Sequence, residues 1–151
     1  MAELEEFRRL VPEITHLKVL TSEGRTVCWE AYDSSGRVLG YAFLIDVPET
    51  ILDIEGMEEM DRYRVTGIVD PEGYRLVGLD IALHPEGPEE PWTTEVTEPS
   101  FEKQYIGLTV EEIYLAPDGK IDAVTDATLS SVRVTDAIRE KIREIIEKTK
   151  G

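Results

Sequence analysis

The chain predicts an α+β fold: a meander sheet of antiparallel β-hairpins packed with a long C-terminal helix and a short N-terminal helix. Three observations carry this. Between residues 14 and 83, β-rich runs alternate with Gly, Pro, Asp and Ser turn signals. From 129 to 148, Val134, Ile138, Ile142, Ile145 and Ile146 recur at three- and four-residue steps, which gives one apolar helical stripe. At the start, Leu4, Phe7 and Leu10 share one side of a charged segment that Val11-Pro12 ends, because the residue before a proline is pushed out of the helical region.

Taken in order, residues 2–10 form the short helix. Residues 14–21 and 26–32 are strands around the turn at 22–25, and the turn at 33–36 leads to a strand over 38–47. The acidic stretch 48–61 reads as a loop or short helix. A second hairpin pairs 63–69 with 74–83 around Asp70-Pro71-Glu72-Gly73, echoing Asp33-Ser34-Ser35-Gly36 in the first. Turn chemistry accounts for both motifs, since Asp caps a turn and Gly accepts positive φ; an internal duplication accounts for them equally well. Residues 84–99 form a long polar loop, and connections of that length are often functional. Ser100 is placed to cap one or two helical turns over 100–106 that Gly107 stops, and 113–115 with 121–124 suggests a third hairpin. On the long helix, Arg143–Glu147 and Glu144–Lys148 are spaced as i,i+4 ion pairs.

The 151 residues, 41% of them hydrophobic, suffice for one domain with a core of its own, spanning 1–151. A formal net charge of −16 repels polyanions, so nucleic acid is excluded as a partner. The single Cys28 precludes an internal disulfide and reads as a half-buried strand residue. His16 and His84 have no metal-ligand spacing, so no metal is expected. With no signal-like start and no window approaching the ~20 apolar residues of a membrane span, the chain as given is expected to be soluble.

The most informative stretch is 122–131, where small and hydroxyl-bearing residues run directly into the long helix. Unpaired N–H groups at a helix start, with the favourable end of the dipole, make a seat for an anion. Thr125, Thr128 and Ser130 are positioned to hydrogen-bond a phosphate or to carry it as an ester. Helix capping alone explains the same residue types.

Asp122, Thr125, Ala127, Thr128 and Ser130 match the attachment motif of the FMN-binding domain family, in which Ser/Thr-Gly-Ala-Thr-x-Ser/Thr opens a helix. That family includes the G subunit of the Rnf electron-transport complex and the C subunit of the sodium-translocating NADH:quinone reductase. Gly40-Tyr41-Ala42, Val77-Gly78-Leu79, His84 before a Glu/Pro loop, Glu98-Pro99-Ser100-Phe101 and Gln104-Tyr105-Ile106-Gly107 fall in the family's order, so the resemblance covers most of the chain. It implies FMN as cofactor, held at Thr125, Asp126, Ala127, Thr128, Leu129 and Ser130, with the phosphate esterified on Thr128. It also implies that Glu90, Trp92 and Thr93 lie near the flavin ring. The partners it implies are a flavin transferase and the redox proteins of a membrane electron-transport complex, on the extracytoplasmic side. The chain is then an electron-carrier subunit rather than an independent enzyme, and no catalytic residue is assigned.

Two departures from the motif bear on function. Asp126 stands where the family has glycine, placing a carboxylate beside the phosphate. The loop against the ring keeps only Glu90-Pro91-Trp92-Thr93 and lacks both family glycines. The alternative is therefore a flavin-free structural or protein-binding domain of the same origin. Trp92, Phe101 and Tyr105 can each wall a ring, while Phe101 and Tyr105, at helical spacing, also fit a core.

Overall fold

The computed structural model describes residues 2–53, 56–85, 95–124 and 128–150. Its centre is a five-stranded sheet in the order β1-β2-β3-β4-β5, each strand antiparallel to its neighbour. The strands are β1 (His16–Ser22), β2 (Arg25–Tyr32), β3 (Val38–Asp53), β4 (Gly56–Val69) and β5 (Leu76–Leu83). Helix α1 (Ala2–Leu10) lies on one face, and α3 (Thr128–Lys150) covers the other. The α+β meander with a helix at each end is thus as the sequence indicates.

Two helices on two faces explain why consecutive strand residues are both apolar. Phe43, Val65 and Ile81 turn toward α3, where Val134, Ile138, Ile142 and Ile145 are fully buried. Ala31, Ala42 and Ile68 turn the other way, toward Phe7 and Ile14. The Phe7 ring meets Trp29 at 5.3 Å between centroids. Cys28 is fully buried rather than half-buried, and burial pushes its thiol up to about 11.

Residues 48–53 and 56–61 are neither loop nor helix. β3 and β4 stay paired from Tyr41↔Val69 to Asp53↔Gly56. Pro48, which as a proline lacks an N–H for the ladder, sits at a register shift between Val47 and Pro48. A bulge accommodates that missing donor without ending the strand. The run's acidity concealed a ribbon whose pairing is made by backbone.

Smaller corrections have equally local causes. The short helix α2 (Pro99–Glu102) begins at Pro99, with Glu98 in the capping position instead of Ser100. Proline's fixed φ suits the first helical residue. A 3₁₀ turn, Lys103–Tyr105, follows, and Gly107 at φ 87° ends it as expected. The third hairpin does not form: Leu115 and Ile121 make one isolated parallel bridge, because the arms are three or four residues long and both Ile113 and Ile121 are drawn into the core. A 3₁₀ turn over Val110–Glu112 precedes it, closed by a reciprocal Thr109–Glu112 capping box.

In the Asp70 turn the left-handed residue is Tyr74 (φ 57°) rather than Gly73, and its ring stacks on Tyr41 with centroids 6.0 Å apart. On α3, Arg143 pairs with Glu140 and the Tyr114 hydroxyl, and Glu144 pairs with Arg25 and Lys141. These partners replace the i,i+4 pairs because tertiary neighbours and the shorter i,i+3 spacing are within reach. The β5 edge is partly closed: the Glu102 carboxylate accepts the Ile81 N–H at 3.0 Å, and Leu76 exchanges hydrogen bonds with Gly107 and Leu108.

Candidate functional site

Thr128 is the first residue of α3, and its side chain is exposed. Leu129 beside it is 54% exposed. The next two residues turn inward, with Ser130 at 5% and Ser131 at 0% exposure. Four consecutive residues on a helix must face most directions in turn, so among the described residues the motif's hydroxyls separate into one at the surface, Thr128, and two in the core. Thr125, Asp126 and Ala127, like Glu90, Trp92 and Thr93, lie outside the described residues.

The buried hydroxyls hold the helix start in place. Tyr63 of β4 donates its O–H to Ser130 Oγ at 3.0 Å. The guanidinium of Arg62, 7% exposed, lies 5.6 Å from the Tyr63 ring centroid. Ser131 Oγ accepts the backbone N–H of Val124 at 3.0 Å, which ties the entering chain back to the helix. One turn on, the Tyr105 and Thr135 hydroxyls meet at 2.7 Å, and burial raises the Tyr105 phenol well above its ordinary value.

The segment before the motif is fixed by a side chain that mimics a strand. Gln104 Oε1 accepts the Asp122 N–H at 2.7 Å, and Gln104 Nε2 donates to the Asp122 carbonyl at 3.1 Å. With Ile121 fully buried, residues 121–124 are held from both ends before the chain enters the motif. Phe101 and Tyr105 are core residues, 5.5 Å apart in an edge-to-face pair, so they stabilise the α2 region behind the site.

Electrostatically, the first turn of α3 carries no acidic residue, while its last turn carries Lys148 and Lys150. In a chain of net charge −16, an acid-free helix start is a local exception that leaves the dipole's positive end unopposed by its own first turn. An exposed hydroxyl, backbone amides and no competing carboxylate in that turn fit a phosphate monoester or diester.

Sequence reasoning singled out Thr128, Leu129 and Ser130. It did not find the supporting roles of Tyr63, Gln104 and Ser131, although Gln104 fell within a family-like segment and Ser131 ends the stretch 122–131. An amide or hydroxyl gives no periodic signal; its role appears only when a partner 18 or 67 positions away is known.

The structure defines an α+β domain whose long helix begins at an exposed threonine, with no acidic residue in its first turn. The chain is 26% identical over 146 aligned residues to the G subunit of the ion-translocating oxidoreductase complex of Methanosarcina acetivorans, covering 91% of this chain and 72% of that one. The resemblance read from the motifs therefore extends along nearly the whole chain. No family model matches the chain, and no solved structure does.

Proposed function

We propose that this chain is an FMN-binding electron-transfer module of a membrane-associated redox complex, with the flavin phosphate at residues 125–130 and an ester through Thr128. One observation carries the reading: Thr128, at the position of the family's attachment threonine, is an exposed hydroxyl in a first turn of α3 that carries no acidic residue. Similarity to a component of an ion-translocating oxidoreductase complex supports the electron-transport role. Among the described residues no helix is long and apolar enough to cross a membrane. Association with a membrane complex would therefore run through partner proteins or through segments other than these helices.

Bound FMN supplies one- and two-electron redox chemistry, and the protein's part is to hold and orient it. Thr128 and the first amides of α3 would hold the phosphate, whose remaining negative charge the helix end favours. Ser130 and Ser131 act one step behind, keeping that end in place through Tyr63 and Val124. A flavin transferase is the partner that covalent attachment requires.

Asp126 favours a second reading, a flavin-free binding domain, because its carboxylate opposes a neighbouring phosphate. Absorption spectra separate the two when the chain is produced together with a flavin transferase. Flavin absorbance that stays with acid-precipitated protein, and disappears in Thr128→Ala, is the result expected. Colourless protein that takes up no FMN from excess cofactor would establish the second reading, and Asp126→Gly restoring uptake would identify the cause.

A further inference from the structure

On the α1 face of the sheet, away from the start of α3, three strands bring together a mixed ligand set. Asp46 of β3, Asp61 of β4 and His84 just after β5 each offer one ligand atom, and these atoms all lie within 4.8 Å of one another. We propose that Asp46, Asp61 and His84 form a binding site for a late first-row divalent cation such as Zn2+, whose place the guanidinium of Arg64 occupies until the metal displaces it.

The hydrogen bonding supports this. Arg64 Nε lies 3.1 Å from Asp46 Oδ1, and Arg64 Nη2 lies 3.2 Å from His84 Nε2. His84 Nε2 thus lies between a guanidinium that can only donate and a carboxylate that can only accept, and in the tautomer protonated on Nδ1 its lone pair faces the cluster. That is the form in which imidazole ligates metal. The His84 side chain is 5% exposed, so the ring is already fixed and little freedom remains to be lost on coordination. Asp46 Oδ1 lies 3.2 Å from the same nitrogen, so one oxygen and one nitrogen converge on a space already held by a positive group. One imidazole with two carboxylates suits zinc and its neighbours better than magnesium or calcium, which prefer oxygen alone.

Arg64 has somewhere to go. Its side chain is 30% exposed and lines a cavity of about 160 Å³, also lined by the carboxylate-bearing Glu6 and Asp80, two acids against the single further cation Arg9. A guanidinium turned into that cavity exchanges Asp46 for these acids while the metal takes the vacated space. No motif spacing marks the set, since its members are 15 and 23 positions apart and meet only through strand pairing. The cation site shares no residue with the flavin site, so each stands or falls separately.

Calorimetric titration of the full chain with zinc chloride, in excess magnesium to occupy general acidic surface, tests the assignment. One saturable equivalent is expected. Asp61→Asn, at an exposed position that leaves the core intact, and His84→Ala should each weaken it about tenfold or more. Arg64→Gln should tighten it about tenfold by removing the competing charge. Absence of a saturable equivalent in the unaltered chain overturns the site. So does binding of unchanged strength in both ligand variants, and Arg64→Gln binding no tighter overturns the displacement.

Discussion

Ser130 shows how a motif residue can anchor a helix start without facing solvent. Its hydroxyl is buried and receives the Tyr63 O–H, while Thr128, two residues earlier, is exposed. In the flavin reading Thr128 is the point of attachment and Ser130 the anchor. Tyr63→Phe removes the donor and leaves a buried oxygen with one partner fewer. The expected cost is about 1 to 2 kcal/mol, read as a lower midpoint in denaturant unfolding with unchanged slope. Flavin, if attached, should remain attached in that variant, because Thr128 is untouched.

Elements are held together here by close approach and by capping. Phe43 lies directly across Gly67: a Cβ added there would sit 2.4 Å from the Phe43 ring. Phe43 is fully buried and has no free direction to move, so Gly67→Ala should cost about 1 to 3 kcal/mol by overpacking, measured by thermal or denaturant unfolding. The turn over Val110–Glu112 depends on charge instead. Lys120, 2.6 Å away, and the Thr109 amide hold the Glu112 carboxyl down at about 2, below an ordinary 4.5. A carboxyl that binds protons less readily when folded adds stability above the unfolded value and loses it as pH falls toward the folded one. Glu112→Gln should therefore lower the melting temperature at neutral pH, and the gap from the unaltered chain should close between about pH 4.5 and 2. A gap that persists at the acid end would show that the carboxylate's charge is not what holds the turn.

Over the whole molecule, 32 acidic residues face 16 basic ones. Such an excess repels itself in the compact state, and salt screens the repulsion. Raising ionic strength from about 0.01 to about 0.15 M should raise the melting temperature, the Debye length falling from about 30 to about 8 Å. A chain held chiefly by its surface ion pairs would respond in the opposite direction. The same excess would favour a basic docking surface on a redox partner in the proposed complex, with association that slows as salt increases.

Periodicity and turn chemistry, read along the chain, were enough to determine the α+β class, the meander of strands, the helices at both ends and the stripe from Val134 to Ile146. These signals are local, and the structure preserves them because burial on two faces of a sheet demands the same patterns. The helix start near Thr128 was legible for the same reason: it is a local event. Tertiary structure alone decided that Pro48 lies inside a strand, since only a partner strand shows whether a missing donor ends the ladder or bends it. It alone turned Thr128 outward and Ser130 inward, and it alone brought Gln104 to Asp122 and His84 to Asp46. Those contacts join positions far apart in the chain, and the forces that make them, hydrogen bonding and charge, act over a few ångströms of space whatever the separation in sequence.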